Sequence, residues 1–342
     1  MNGHQRITAA IKGVMPDKRP VMLHNFRLAA REAGYTMKQF RESPKVIADS
    51  YIQSVDRYGY DGVFVDIDTV TLAGVMGVPI DMPEDAPARC HGSWISSLEQ
   101  VKNLEQKDVR QYQYAANWVE GVKLIKDYFG DEVYVRGNCD QSPFCLAAIV
   151  RGLENWLMDL MMDPVNASEL LEYCTDITCQ FIKFMSESGC DMVSNGDSMA
   201  GTSVISPAMY RIFALPYEKR VVEYAHQLGL KYTLHICGNT DLILEDMLQT
   251  GSDCFELDYK TDIRKIYNHF SKKATLIGNI DPSGVLAYGT VDDVERATRM
   301  VLDVYENSPR LIINAGCSIP PDTPEENIKT MINAAHSSLI NV

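Results

Sequence analysis

Short runs of β-branched and apolar residues alternate with longer segments of helical spacing from one end of the chain to the other. Eight of these runs have the length and composition of buried parallel strands. They are PVMLHNF (20–26), GVFVDID (62–68), EVYVRGN (132–138), MVSNGD (192–197), KYTLHIC (231–237), CFELD (254–258), ATLIGNI (274–280) and RLIINAGC (310–317). The regular alternation predicts repeated strand–helix units.

Proline, glycine and aspartate mark the ends of the helical segments between these runs. A helix is predicted over 206–228, with Pro207 in its first turn, Pro216 restarting it and Gly229 ending it. Another is predicted over 262–271, which opens on an aspartate that can cap it.

Eight strands alternating with helices over 342 residues predict an α/β fold, a single closed (β/α)8 TIM barrel. The fifth to seventh strands begin only about 20 residues apart, too close for a domain boundary. We therefore expect one domain over 1–342, with extra helices around 69–130. A doubly wound open sheet is the alternative, but no G-x-G-x-x-G turn follows an early strand.

Composition and charge argue against two kinds of partner, nucleic acids and membranes. The formal net charge is −14, which gives no electrostatic footprint for nucleic acid or an anionic membrane surface. No window approaches the roughly 18 consecutive apolar residues of a membrane helix. The opening MNGHQRITAAIKG lacks the apolar core of a signal peptide, so we expect a cytoplasmic protein.

The chain has nine cysteines, which in a cytoplasmic protein are expected to be reduced. Cys174 follows helical spacing with Leu170 and is predicted to pack on a buried stripe. Cys179, Cys190 and Cys254 have no partner at ligand spacing and are read as ordinary core residues.

Polar residues concentrate where the predicted strands end, which is where catalytic groups lie in a barrel. They are Asn25, Asp66, Asp68, Asn138, Asp197, His235, Cys237, Asp258, Asn279, Asp281 and Cys317. Strand-to-loop transitions favour asparagine and aspartate in any case, which suffices to explain Asn138 or Asp258. It does not explain two cysteines and a histidine.

His235 and Cys237 lie two residues apart and therefore on one face of the fifth strand, and Cys317 closes the eighth. Two thiolates and an imidazole at one mouth form a Cys2His set, typical of a catalytic zinc site with one open position. Two alternatives stay open. In the first, Cys237 is a nucleophile and His235 its base, although side chains two apart on a strand rarely hydrogen-bond each other. In the second, the residues only pack in the core, although a strand end is the least buried part of a barrel.

Four longer motifs resemble the uroporphyrinogen decarboxylase superfamily, a family of TIM barrels, over nearly the whole length. They are KRPVML, GDSMAGTSVISPAMYRIFALPYEKRV, IGNIDP and INAGCSIPPDTP. The decarboxylases use arginines in a pattern like RPVWMMRQAGR, a tyrosine after the third strand and a histidine in NLGHG. This chain keeps Asp66 and Ser198, but has Asn25 and Ala29 in place of the arginines, no tyrosine in SPFCLAAIVRG, and Cys317 in place of the histidine.

LHICGNT and NAGC match instead the H-x-C-G and distant cysteine of the corrinoid-linked branch, whose members include methylcobamide:coenzyme M methyltransferases. This resemblance implies zinc bound by His235, Cys237 and Cys317, which would act in catalysis through the metal. It also implies methyl transfer between a corrinoid and a small molecule, in either direction. Coenzyme M, another thiol, tetrahydrofolate or a methylated amine are all compatible with these ligands.

The chain has no D-x-H-x-x-G stretch of the kind that corrinoid-binding domains use. We therefore expect methylcobalamin to arrive free or on a separate corrinoid-binding protein. Two alternative functions remain. The protein could be a decarboxylase, or it could be a non-catalytic module that binds zinc or a corrinoid protein. The substrate-binding residues are predicted to be Asn25, Asp66, Asp197, Ser198 and Asn279, and the candidates for a fourth ligand or an orienting group are Asp66, Asp197 and Glu256.

Overall fold

A computed structural model describes residues 1–91, 93–105 and 107–338 of the chain. Its centre is one parallel eight-stranded sheet, in which each strand pairs with the next along the chain. The strands are β1 (Met22–Leu23), β2 (Gly62–Val65), β3 (Tyr134–Gln141), β4 (Met192–Gly196), β5 (Lys231–Ile236), β6 (Cys254–Leu257), β7 (Thr275–Gly278) and β8 (Leu311–Ile312).

The sheet closes on itself between its first and last strands. Val21 forms a parallel bridge to Ile313, the Met22 amide donates to the Ile313 carbonyl at 3.1 Å, and the Ile313 amide donates to the Pro20 carbonyl at 2.8 Å. The predicted barrel is therefore confirmed, and each strand lies within its predicted run except β3, which continues three residues past 138.

In the described residues, fifteen α-helices surround the barrel and cover its ends. They are Gly3–Lys12 (α1), Phe26–Glu32 (α2), Met37–Glu42 (α3), Pro44–Tyr58 (α4), Thr71–Met76 (α5), Gln113–Phe129 (α6), Pro143–Arg151 (α7), Leu153–Met162 (α8), Pro164–Ser186 (α9), Pro207–Phe213 (α10), Leu215–Gln227 (α11), Leu244–Leu248 (α12), Ile263–Phe270 (α13), Val291–Val304 (α14) and Glu325–His336 (α15). A π-helical turn spans Pro282–Ala287, and 3-10 turns span Leu98–Asn103, Val109–Gln111 and Ser198–Ala200.

The segment between β2 and β3 holds the extra structure predicted around 69–130. It contains α5, α6, two of the 3-10 turns and a short antiparallel strand pair, Ile80–Asp81 with Arg89–Cys90. The helix predicted over 206–228 is divided into α10 and α11 at Ala214, and Pro216 lies in the first turn of α11. Asp262 caps α13 as expected, because its side chain accepts from the amides of Arg264 and Lys265.

The nine cysteines, all within the described residues, are free thiols. Cys174, Cys190 and Cys254 are buried and Cys179 is half-buried, so these four pack as predicted. None of the described helices combines the length and apolar character needed to cross a membrane.

Helix α1 closes the end of the barrel opposite the strand exits. Ile7 and Ile11 pack on Met22, Phe64 and other inward-facing side chains of the strands. Gly62 leaves room for this contact, since a Cβ there would lie 2.4 Å from the Ile7 Cδ1 atom. The barrel floor is therefore a packed apolar layer, and chemistry is confined to the other mouth.

Ile7→Ala should lower the free energy of unfolding by about 2–5 kcal/mol, because a fully buried side chain in the barrel floor is replaced by a cavity. Urea denaturation followed by circular dichroism measures the change. Ile212→Ala, at a position 61% exposed on α10, should alter the stability by less than about 0.5 kcal/mol. Equal effects of the two substitutions would contradict the role assigned to α1.

Candidate metal centre

Strands β5 and β8 bring the predicted metal ligands together at the open mouth of the barrel. The Nε2 atom of His235 lies 2.9 Å from the Cys237 sulfur, and that sulfur lies 3.5 Å from the Cys317 sulfur. All three donor atoms are within 4.8 Å of one another. His235 is the second-to-last residue of β5, whereas Cys237 and Cys317 lie beyond their strands.

The imidazole of His235 is held in the orientation that a metal ligand needs. Its Nδ1 atom is 3.0 Å from the backbone carbonyl of Glu256 on the neighbouring strand β6. A carbonyl oxygen only accepts, so Nδ1 carries the hydrogen and Nε2 is the nitrogen that faces Cys237. A second hydrogen bond of this kind fixes the tautomer of most metal-binding histidines.

The three groups share protons when no metal is bound. A hydrogen bond from Cys317 lowers the pKa of Cys237 to about 3, and the nearby His235 adds to this. Burial opposes protonation of His235, but the Cys237 sulfur outweighs it and raises that pKa to about 10. The contact with Cys237 raises the pKa of Cys317. Cys237 is therefore a thiolate, the form that binds metal.

The contact between His235 and Cys237 differs from the expectation that side chains two apart on a strand rarely hydrogen-bond each other. β5 ends at Ile236, so Cys237 has left the strand and its sulfur turns toward the imidazole. Burial at the strand ends varies, since His235 is 8% exposed whereas Cys237 and Cys317 are half-buried.

The donor set fits zinc. Zinc binds imidazole nitrogen and thiolate sulfur at about 2.0–2.3 Å, and donors this close together can share one ion. Soft sulfur ligands favour zinc over magnesium or calcium. Within the part of the chain that the structure describes, no fourth histidine, cysteine, aspartate or glutamate joins the three. The set thus has the three-ligand form of a catalytic site.

A second histidine, His24, lies beside the centre and was not singled out from the sequence. Its Nδ1 atom is 2.9 Å from Glu256 Oε1 and its Nε2 atom is 2.9 Å from Asp66 Oδ2. Burial opposes its protonation, but the two carboxylates outweigh this and raise its pKa. Carboxylate oxygens at both ring nitrogens favour the imidazolium form of His24, which ties the ends of β1, β2 and β6 together.

Glu256 connects this histidine to the interior of the barrel. Its Oε2 accepts from Arg136 Nη1 at 2.5 Å, and both side chains are fully buried. The Arg136 guanidinium also stacks on the Phe64 ring, 3.6 Å from its centroid. The carboxylate of Glu256, a candidate for the fourth ligand, thus connects Arg136 to His24. The backbone carbonyl of Glu256 orients His235.

Strand alternation is the signal that could have identified His24. Met22 faces the barrel interior, so His24, two residues later, faces the same way, and Asn25 faces out. Asn25 is buried, and its Nδ2 donates to Ser54 on α4 at 3.0 Å. The structure therefore does not bring Asn25 to the mouth.

Asp66 and Ser198, two predicted substrate residues, do lie beside the centre. Besides His24, Asp66 accepts from Asn138 Nδ2 at 2.7 Å. The Ser198 hydroxyl accepts from the Cys237 amide at 3.5 Å. Both residues line the same cavity as the three ligands.

Asp197 and Asn279 lie behind that cavity. Asp197 is buried and accepts from the Cys145 amide at 2.8 Å, and burial raises its pKa to about 6. Asn279 donates to the Thr261 carbonyl at 3.2 Å. The structure places neither residue in contact with the cavity, and Asp197 does not join the ligand set.

The cavity at the mouth has a volume of about 160 Å³. The ligands His235, Cys237 and Cys317 line it together with His24, Asp66 and Asp140. The remaining wall consists mainly of two aromatic rings and four small or amide side chains, which are Phe26, Phe64, Thr69, Asn138, Gln141 and Ser318. A space of this size suits a small molecule of a few heavy atoms beside the metal ligands.

Known proteins resemble the chain over nearly its full length. The sequence model described as uroporphyrinogen decarboxylase (URO-D) matches residues 2–338. The methylcobamide:CoM methyltransferase MtbA of Methanosarcina mazei is 31% identical over 81% of the chain and 80% of its own length. A uroporphyrinogen decarboxylase of a Synechococcus strain is 28% identical over 93% and 92%. A solved methyltransferase from Methanosarcina mazei superposes with a TM-score of 0.89 at 22% identity, covering 98% of both chains.

Proposed function

The chain belongs to the uroporphyrinogen decarboxylase (URO-D) family, and from that premise we propose that it is a zinc-dependent methyltransferase. It moves a methyl group between a corrinoid and a small molecule, most simply a thiol. Relatives named as methylcobamide:CoM methyltransferases support corrinoid-linked methyl transfer. The observation that carries the proposal is the convergence of His235, Cys237 and Cys317 within 4.8 Å of one another.

His235, Cys237 and Cys317 are the residues that would hold zinc. When bound there, zinc supplies a Lewis acid that lowers the pKa of a coordinated thiol. Two cysteine thiolates balance the charge of the ion, so a substrate sulfur beside it stays electron-rich. The Glu256 carbonyl holds the His235 Nδ1 hydrogen at 3.0 Å and keeps Nε2 pointing at the ligand set.

The other polar groups of the cavity wall hold the cavity in shape and keep a proton in place. His24 retains its proton between Asp66 and Glu256, and Asn138 fixes the second oxygen of Asp66. A wall whose hydrogen bonds are already made does not need to reorganise when substrate arrives. Asp66 and Ser198 are therefore proposed as substrate-positioning residues.

The methyl-carrying corrinoid comes from outside the chain, either free or on a corrinoid-binding protein that docks over the mouth. The net charge of −14 fits neither nucleic acid nor an anionic membrane surface as partner. The thiol chemistry requires reduced cysteines, which the cytoplasm maintains.

The decarboxylase relatives suggest a second candidate function, decarboxylation of a tetrapyrrole, but the residues of the site do not fit that substrate. Tetrapyrrole carboxylates need cationic partners. In the described part of the chain no lysine or arginine lines the cavity, and Asn25 and Ala29 are buried where the decarboxylase pattern has arginines. Cys317 also lies in the ligand set instead of the decarboxylase histidine.

A metal-exchange assay tests the proposal. Purified protein is stripped with a chelator, shown metal-free by elemental analysis, and then reloaded with zinc. Methyl transfer from methylcobalamin to a two-carbon thiol, measured as the thioether by mass spectrometry, should be lost on stripping and regained with zinc. Full activity of the stripped protein, or carbon dioxide release from uroporphyrinogen, would overturn the proposal.

A further inference from the structure

The cavity wall also contains a buried carboxyl group that has no role in the methyl transfer proposed above. Asp140 is fully buried and lines the cavity. Its Oδ2 accepts from the Leu72 amide at 2.6 Å, whereas its Oδ1 has no hydrogen-bond partner among the described residues. A buried acceptor without a partner is costly, and a ligand that donates a hydrogen bond to it would recover that cost.

The backbone at this position is also unusual. Asp140 has φ of +61°, in the left-handed region, and is the one non-glycine residue with positive φ among those described. It lies where the register between β3 and β4 shifts, between Asn138 and Gln141. Backbone conformations of this kind cost free energy and occur preferentially at functional sites.

The charges around the cavity leave nothing positive for an anion. The imidazolium of His24 and the guanidinium of Arg136 are matched by Asp66 and Glu256. The negative charges of the two cysteine thiolates would balance the charge of one zinc ion. No lysine or arginine of the described chain lines the cavity, so a sulfonate or carboxylate there would be buried without a cationic partner.

Asp140 also makes the cavity unfavourable for an anionic ligand. Burial, and next the Asp68 carboxyl, raise the pKa of Asp140 well above its ordinary value. A positive charge or a hydrogen-bond donor beside Oδ1 relieves this cost, whereas a second negative charge increases it.

We propose that the methyl acceptor at this site is a small thiol whose far end carries a hydrogen-bond donor and no negative charge, and that Asp140 Oδ1 receives that donor. This rests on the proposed function in that the thiol sulfur binds at the zinc. The substrate class is thus a hydroxy- or aminothiol rather than a thiol with an anionic tail such as coenzyme M. Asp140 is the residue that determines this specificity.

Three thiols with the same two-carbon spacing test the assignment: cysteamine, 2-mercaptoethanol and coenzyme M. Their binding to the zinc-loaded protein is measured by calorimetry at pH 7. Coenzyme M should bind at least about ten-fold more weakly than cysteamine, because its sulfonate would be buried without a cationic partner, whereas the cysteamine ammonium can pair with the Asp140 carboxylate. Equal or tighter binding of coenzyme M overturns the proposal.

Asp140→Asn should reduce the cysteamine-to-coenzyme M affinity ratio by about ten-fold. Asparagine, like aspartate, tolerates the left-handed backbone. The same thiols are compared in both proteins, so their own pKa differences cancel. An unchanged ratio in a folded variant overturns the role of Asp140.

Thr69→Lys is a second variant that does not disturb a buried group, since Thr69 is exposed at the cavity rim. It supplies the missing cation and should shift the preference toward coenzyme M by at least about ten-fold. No shift overturns the electrostatic argument.

Methyl transfer is measured in parallel so that the two proposals fail separately. Cysteamine bound more tightly than coenzyme M but never methylated would leave this inference standing and remove the proposed function. Efficient methylation with coenzyme M as the preferred acceptor would do the reverse.

Discussion

Replacing Cys237 or Cys317 by serine should reduce methyl transfer by at least about 1,000-fold. Metal activation is worth several kcal/mol of transition-state stabilisation, and about 4 kcal/mol corresponds to that factor. A serine hydroxyl is a much harder donor than a thiolate and does not ionise at neutral pH, so each variant loses a ligand as well as the charge that balances zinc. The transfer rate from methylcobalamin under saturating thiol is the measurement.

Cys179→Ser provides the matched control, because Cys179 is a half-buried thiol on α9 outside the site. It should keep the wild-type rate within about two-fold, as expected for a substitution away from the chemistry. If Cys317→Ser retained the wild-type rate, β8 would contribute no ligand, and His235 with Cys237 would have to be read as a nucleophile and its base.

Glu256→Gln should lower the free energy of unfolding by about 3–5 kcal/mol, the cost of breaking one side of a buried ion pair. Glu256 faces both Arg136 and His24 at hydrogen-bond distance, and all three side chains are buried. An amide neutralises neither partner, so the Arg136 guanidinium remains charged in a site from which water is excluded. Urea denaturation of the zinc-loaded protein measures the loss.

The double variant Arg136→Met/Glu256→Gln separates this effect from a general loss of packing. Removing the guanidinium as well should restore at least about 1 kcal/mol relative to Glu256→Gln, because the unpaired buried charge is gone. A double variant that is less stable by the sum of both single losses would contradict the ion-pair account.

The barrel and its ligands could be predicted because they follow from local patterns. Apolar runs of strand length, spaced by helices, determine the number of strands, and each run ends on a residue at the mouth. His235 and Cys237 were recognisable from a two-residue spacing on one strand. Cys317 joined them because all parallel strands of a closed barrel end at the same mouth.

The direction of side chains near the strand ends is harder to predict than the strands themselves, because it depends on where each strand stops. Asn25 and His24 are neighbours, and only the alternation of β1 decides that the histidine faces the cavity. Asn279 bonds to Thr261, a residue placed beside it by the neighbouring crossover. Such contacts depend on where each strand ends relative to its neighbours, which tertiary packing decides.

Asp140 shows a further limit. Positive φ is usually signalled by glycine, and an aspartate in the run NCDQSP carries no such signal. The register shift beside it arises from the pairing of β3 with β4, two segments about fifty residues apart. Its role in the cavity therefore becomes visible only in the folded chain.

The most direct test of the central claim is the metal content of the purified protein by elemental analysis, with the wild type beside Cys237→Ser, Cys317→Ser and Cys179→Ser. If His235, Cys237 and Cys317 bind zinc, we expect about one zinc per chain in the wild type and in Cys179→Ser, and almost none in the two ligand variants. Wild-type protein purified without chelator and found free of zinc, or zinc retained in full by both ligand variants, would contradict it.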